Sequence, residues 1–163
     1  MDEAIVEHLA KRLSFEEWAK AEEAKPIKVT ANLWRGLEAK GWRIVSERRL
    51  AVASGVDLVK VLLQIGETLE AHSVAIDLFE CTSADAARFT LLRTLADVQS
   101  PLLARETSTS LGEIAFSLPE RTMLAFARAN VAVIVRNTGR TVNDVTEVAR
   151  EIDARLRQTG GRG

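Results

Sequence analysis

The stretch from Trp42 to Cys81 constrains the fold more than any other part of the chain. It holds three strand-like segments, Trp42 to Ala53, Leu58 to Ile65 and His72 to Cys81, separated only by short turns. Parallel neighbours would need crossovers of a dozen or more residues. The sequence therefore predicts an antiparallel meander. Alternation in the first segment is interrupted, with Trp42, Ile44, Leu50 and Val52 expected on one face, so that strand should be long or bulged.

A helix is predicted to close the meander. Thr82 and Ser83 are residue types that cap helix N-termini. The apolar residues that follow fall at helical spacing before Pro101. They are Ala86, Phe89, Leu92 and Leu95 or Ala96.

The same order of elements recurs further along the chain. Strand patterns at Gly112 to Leu118, Met123 to Arg128 and Val131 to Asn137 precede a helix expected from a Thr141 cap through Leu156. The Ala129-Asn130 step reads as a tight turn with Asn at positive φ. We therefore expect two strand-strand-strand-helix halves, 42–97 and 112–157, and take the internal repeat as a hypothesis from element order alone.

A helical segment, 1–40, precedes these halves. Ile5, Leu9 and Leu13 recur every four residues, and Ser14 with Glu17 fits a capping box that opens a second helix. Thr30 is expected to cap a helix over Ala31 to Lys40, and Gly41 to end it at positive φ. The first 25 residues read as a docking arm or lid, and residues 158–163 as a frayed tail.

The predicted fold is one α+β domain over 1–163, with a twisted antiparallel sheet of about six strands in two βββα halves behind the N-terminal helices. Helices on one side would leave the other face open to the N-terminal helices, solvent, a partner or a ligand. Small residues are expected there, which either form a groove or, as we favour, allow a close-packed helix. They are Ala51, Ala53, Ala75, Ala115, Ala125, Ala127 and Ala132.

Charge argues against a nucleic-acid domain. The 22 basic and 23 acidic residues give a net charge of -1, without the strongly basic balance that such domains usually show. A local basic stretch does interleave with Trp34 and Trp42, as in single-strand binders, but a core tryptophan pair with a charged outer face is the favoured interpretation. Its cations are Arg35, Lys40, Arg43, Arg48 and Arg49, with Arg121, Arg128, Arg136, Arg140 and Arg150 as candidates to extend it.

The cellular compartment stays open. The single cysteine, Cys81, excludes an internal disulfide and is expected to be a small buried hydrophobe. No run approaches the 18 apolar residues of a membrane-spanning helix, and the acidic start is not a signal peptide. A cytoplasmic protein and an exported domain lacking its leader fit equally.

The sequence offers little chemistry. His8 and His72 lack partners at metal-ligand spacing, and neither a nucleophile elbow nor a phosphate-binding glycine loop occurs, so no metal or cofactor is expected. The best polar cluster is Glu67, Glu70, His72 and Asp77, where a carboxylate could keep the imidazole available as a proton carrier. A solvated hairpin rim is the favoured interpretation of this cluster.

Three segments resemble a known group of proteins: Leu111 to Phe116, Phe126 to Val133 and Val148 to Leu156. Together they are similar to the C-terminal part of bacterial extracytoplasmic sensor-like domains, including those attached to actinobacterial membrane Ser/Thr kinases. The resemblance implies a twisted sheet with flanking helices and a cleft, and ligand or partner sensing without catalysis. This chain departs in having one cysteine where the kinase sensors are disulfide-bonded.

The sequence is therefore compatible with two functions. The first is a non-enzymatic binding or sensor-like domain that engages a small molecule or a protein through the open sheet face, with a homodimer possible and no nucleic acid expected. The alternative is a small carboxylate-based enzyme that uses Glu67, Glu70, His72 or Asp77. A deep pocket holding several of those groups would favour the enzyme.

Overall fold

The computed structural model describes residues 2–22, 24–66 and 72–160. In this part of the chain a single seven-stranded antiparallel sheet has helices on both faces, in the order β1-β2-β3-β7-β6-β5-β4. The strands are β1 Arg43–Ala53, β2 Val56–Ile65, β3 His72–Cys81, β4 Ala104–Arg105, β5 Ile114–Ser117, β6 Met123–Arg128 and β7 Val131–Asn137. The helices are α1 Glu3–Arg12, α2 Phe15–Trp18, α3 Asn32–Arg35, α4 Ala84–Val98 and α5 Thr146–Gly160, with 3-10 turns at Gly36–Lys40 and Pro119–Arg121.

The predicted α+β class and antiparallel sheet are confirmed. The bounds of β3, β6 and β7 agree with the sequence prediction, because each strand is a clear apolar run between turn residues. A seventh strand, the two-residue β4, extends the sheet beyond β5. β4 pairs with Phe116 and Ser117 of β5. It is too short to show an alternating pattern in the sequence.

The two faces of the sheet carry separate cores. On one face, here called the α4 face, residues such as Phe79, Phe116 and Ala132 pack with α1, α2 and α4. On the other, here called the α5 face, residues such as Ile76 and Val133 pack with α3 and α5. Each face is thus at least partly covered by helices.

The expectation of helices on one side of the sheet was therefore wrong. α4 and α5 follow β3 and β7, which are antiparallel neighbours, yet they turn to opposite faces. A rotation about an axis normal to the sheet would relate the two strand trios but would place both helices on the same face. The internal repeat accordingly stays at the level of element order.

The prediction that the apolar residues of the first strand share one face was also wrong. Its register with β2 shifts between Ile44 and Ser46 and between Ala51 and Ala53. Because each bulge changes the alternation, Ile44 lies beside Leu63 on the α5 face while Leu50 lies beside Leu58 on the α4 face. The predicted bulged strand is confirmed.

The N-terminal segment divides between the two faces. α1 packs on α4, and the Trp18 ring contacts Phe116 at a centroid distance of 5.1 Å. The predicted capping box fails because Ser14 adopts φ 56 and its side chain caps nothing, so α2 has only four residues. The chain then reaches the α5 face, where Ile27 is buried.

Side chains hold the extended link between these faces. Asn130 accepts a hydrogen bond from the Ile27 N–H at 2.6 Å and donates to the Ile27 and Cys81 carbonyls at 3.0 Å. Glu80 accepts from the Val29 N–H at 2.6 Å, and the Arg49 guanidinium donates to the Val29 carbonyl at 2.6 Å. The link is thereby fixed without being a strand of the sheet.

Helix ends show mixed agreement with the sequence. Ser83 caps α4 as predicted, accepting from the Ala86 N–H at 3.1 Å. Gly41 ends the 3-10 turn at φ 94, whereas Ala31, not Thr30, stands at the start of α3. Thr141 is not a cap, since α5 starts at Thr146 and runs to Gly160, through part of the expected tail.

Candidate functional site: the uncovered part of the sheet

The α4 face is uncovered where it extends over β1 and the adjoining parts of β2 and β3. α4 packs on β3, β6 and β7. The apolar core beneath it includes Leu58 and Phe79, but further along the same strands Leu62 and Ala75 are only partly buried. The open sheet face of the sequence analysis is thus reduced to this region.

Strand register places four cations on this region. Arg48 on β1 lies opposite Lys60 on β2, which lies opposite Asp77 on β3. The next row consists of Ser46, Leu62, Ala75 and Arg136, and Arg43 lies opposite Gln64 beyond it. We call Arg43, Arg48, Lys60 and Arg136, with Leu62, Ala75 and Asp77 between them, the basic surface.

Two of the four cations are available for a partner. Arg43 donates to the Gln64 side-chain oxygen at 2.6 Å, and Lys60 lies 3.9 Å from the Asp77 carboxylate. Arg48 and Arg136 are exposed and form neither a hydrogen bond nor an ion pair with any described residue. The strands themselves fix where these charges lie, because neighbouring rows in a sheet are in fixed register.

Asp77 is the one acid within the basic surface. Its side chain is 15% exposed, and its Oδ1 atom, buried beside Lys60, has no hydrogen-bond partner among the described residues. At 3.9 Å the attraction to Lys60 is a loose ion pair. Among the described residues of this part of the sheet, four cations stand against one acid.

Two clusters of cations outside this surface are paired with carboxylates. Arg128 and Arg157 both donate to Asp153, which is 2% exposed. Lys40 and Arg155 bind Glu151, whose carboxylate is desolvated by burial but has its pKa lowered by the hydrogen bonds from these two cations. Of the candidates to extend the basic stretch, Arg121 pairs with Glu106 and Arg128 with Asp153, whereas Arg136 lies on the basic surface.

The candidate enzyme cluster is not assembled by the described residues. His72 and Asp77 are separated by an odd number of positions on β3, so they lie on opposite faces. At roughly 3.3 Å per residue they are also about 16 Å apart along the strand. Glu67 and Glu70 lie outside the described residues. Neither histidine lies on the basic surface.

Two cavities lie away from the basic surface. One, of about 460 Å³, lies between α1 and the end of α4 and is lined by His8 and Arg12 among apolar residues. Another, of about 390 Å³, lies beside Glu106 and Arg121. Hydrogen bonds from Ser108, with smaller contributions from Ser117 and Arg121, lower the pKa of Glu106 to about 2 despite its partial burial. That carboxylate is fixed as an anion by its neighbours, which makes it a structural group and a poor proton carrier.

Several interpretations favoured from the sequence are confirmed. Cys81 is 4% exposed, and burial raises the pKa of its thiol above the ordinary value, so it is held protonated. Trp34 is 2% exposed and Trp42 packs on the core of the α5 face. The alanines expected together on one open face are instead divided, because Ala125, Ala127 and Ala132 lie under α4 whereas Ala115 lies in the core of the α5 face.

Sequence reasoning missed Lys60 as a surface cation. It lies in an apolar strand between Val59 and Val61, both 2% exposed, so only its place in the alternation shows that it points to the other face. Identifying the surface required the pairing of β3 with β7, because that pairing brings Arg136 within two strands of Lys60. A pairing between residues so far apart in the sequence leaves no local signal.

The described residues contain no group of three or more His, Cys, Asp and Glu side chains that could hold a metal ion. Among the described helices, none has the length and apolar character needed to cross a membrane.

Comparisons with known proteins leave the site to be judged on its own geometry. No family model matches the chain, and neither a curated protein nor a solved structure matches it.

Proposed function

We propose that this chain is a binding domain, sensor-like in the way its C-terminal resemblance implies, and that it docks a protein partner carrying carboxylates on the basic surface. The observation that supports this most is the excess of cations on the part of the α4 face over β1, β2 and β3 that α4 does not cover. Arg48 and Arg136 there have no partner among the described residues.

The composition of the surface favours a protein over a nucleic acid. Apolar Leu62 and Ala75 lie among the cations, and mixed apolar and charged patches are typical of protein interfaces. Binders of single strands instead stack bases on aromatic side chains. The basic surface contains no aromatic residue, since Trp34 is buried and Trp42 packs on the α5 face.

The shape of the surface favours a protein over a small molecule. Small ligands are usually bound in concave sites that bury most of their surface. The basic surface lies on an extended part of the sheet, and the two cavities described above lie elsewhere. An extended acidic protein surface fits such a site better than a compact ligand does.

A titration with poly-L-glutamate tests this proposal. We expect binding that weakens as salt is raised, because exposed charges are screened. The substitution Arg136→Glu should weaken binding by roughly tenfold, or about 1.4 kcal/mol. Arg150→Glu is the matched control, since Arg150 is exposed on α5 and lies outside the basic surface. Equal loss in both variants would contradict the proposal, as would tighter binding of a single-stranded oligonucleotide.

A further inference from the structure

The first strand presents an unpaired edge beside the basic surface. β1 has 11 residues and pairs only with β2, whereas the opposite edge of the described sheet is the two-residue β4. Strand edges carry N–H and C=O groups that can pair with another chain, and short edge strands reduce that exposure. The β1 edge is therefore long enough to pair with an added strand, whereas the β4 edge is not.

The central part of β1 is regular enough to accept another strand. Pairing with β2 is continuous from Ser46 to Ala51, between the two bulges. This stretch matches the usual strand length of five to six residues. All but Leu50 are exposed, and Val45 and Val52 at the bulges are each 48% exposed.

The charges of β1 identify what can pair there. Arg43, Arg48 and Arg49 are opposed by a single acid, Glu47. A second copy pairing through the same edge would bring two sets of three arginines together with only two glutamates, and like charges across a strand pair are destabilising. An acidic segment would meet the opposite sign. Charge thus disfavours self-association and favours an acidic partner.

The two faces of β1 also differ in a way that defines the partner's pattern. Arg48 projects on the α4 face opposite Lys60, Arg43 projects on the same face beyond the first bulge, and Glu47 projects on the α5 face. On the α5 face Ile44 packs against the core, and Arg49 is already engaged with Asp57 at 3.8 Å and the Val29 carbonyl. Because side chains alternate along a strand, carboxylates at every second position of an added segment would lie on the α4 face beside Arg48. The positions between them would lie on the α5 face beside Glu47, Arg49 and Ala51, where uncharged side chains avoid repulsion from Glu47.

We propose that the acidic partner contributes an extended segment that pairs with β1 as an eighth strand of the sheet. Its carboxylates lie on the α4 face beside Arg48, with Lys60 one strand further in and Arg43 beyond the first bulge, and its uncharged side chains lie on the α5 face. This inference rests on the proposed function, and it specifies that backbone pairing, in addition to charge, holds the partner. Strand addition at an exposed sheet edge is a general mode of peptide recognition.

The probe is a synthetic peptide of about eight residues in which glutamate and valine alternate. Hydrogen exchange of the β1 amides, followed by NMR, should slow by about tenfold or more at alternate residues between Ser46 and Ala51, where the N–H groups point away from β2. Arg48→Glu should weaken peptide binding by about tenfold, and Arg150→Glu should leave it unchanged.

A peptide with proline in place of valine serves as the second control, since proline has no N–H to pair and should bind at least tenfold more weakly. Equal binding of that peptide, or peptide binding without slower exchange in β1, would overturn strand addition while leaving charge-driven docking in place. Failure of poly-L-glutamate to bind would overturn the proposed function itself. Protection of β1 that rises with protein concentration alone would instead identify a second copy as the occupant.

Discussion

At the scale of single residues, Asp153 shows how this chain accommodates charge in its interior. The carboxylate lies on α5 and accepts from the Gly112 N–H at 3.1 Å, from Arg128 at 2.6 Å and from Arg157 at 3.2 Å. A buried carboxylate is tolerated only when such donors replace water. The position that supplies this N–H requires glycine. Its φ is 56, and an added Cβ would lie 2.5 Å from the Ala127 carbonyl oxygen.

The substitution Asp153→Asn should lower the free energy of unfolding by about 3–5 kcal/mol, because it leaves Arg128 without its anion in a largely buried site. Urea unfolding measures the change. Asp97→Asn is the control, since Asp97 is exposed on α4 and forms no ion pair with the described residues. A change below about 1 kcal/mol at Asp153 would show that Arg128 regains solvent freely.

Glu106 gives a prediction on pH. Its pKa is lowered from 4.5 to about 2, mainly by Ser108. The folded state thus binds its proton less readily than the unfolded state, so this group stabilises the fold fully above about pH 5 and loses that contribution as the pH falls toward 2. Glu106→Gln should therefore reduce stability at pH 7 and make little difference near pH 2. An equal loss at both pH values in thermal unfolding would contradict this.

At the scale of elements, helix caps and strands follow local rules that the sequence displays. β6 and β7 were predicted with their observed bounds, and Ser83 was recognised as a cap. Phe89 was wrongly placed on the buried stripe of α4 and is 47% exposed, because Leu91 and Leu92 define a face turned away from it. In the β6–β7 turn, Ala129 takes the positive φ of 49 expected of Asn130, whose amide is needed for Ile27 and Cys81.

The cap of α4 can be tested against its neighbour. Ser83→Ala should cost about 1 kcal/mol of stability, because the Ala86 N–H loses its acceptor. Thr82→Ala should cost less, since the Thr82 side chain is exposed and forms no hydrogen bond with the described residues. Chemical denaturation of both variants provides the comparison, and equal costs would mean that capping does not distinguish them.

At the scale of the whole molecule, helices pack on each face of the sheet, but the α4 face over β1 and the adjoining parts of β2 and β3 is not covered by them. The meander, the strand class and the N-terminal helix could all be predicted from the sequence, because each depends on residues close together in the chain. The face of the sheet on which α4 and α5 pack could not be predicted from the sequence. It depends on which of the two cores the apolar side of each helix joins. The basic surface likewise depends on β3 meeting β7.

Asn130 provides a test of how the layers are joined. Asn130→Asp replaces a donor with an acceptor against the Ile27 and Cys81 carbonyls, which should destabilise the link by about 1–3 kcal/mol. Hydrogen exchange should accelerate at Ile27 and Val29 more than at Ile76 in the centre of the sheet. Uniform acceleration would show instead that the link and the sheet open together.

The link between Trp18 and Val29 has a consequence for the order of assembly. During synthesis α1, α2 and the link leave the ribosome before the residues that they contact, since α1 packs on α4, Trp18 on Phe116 and Ile27 on Asn130. We therefore expect the sheet to form before the N-terminal segment settles on it. Until Asn130 has been made, the link lacks the side chain that holds Ile27.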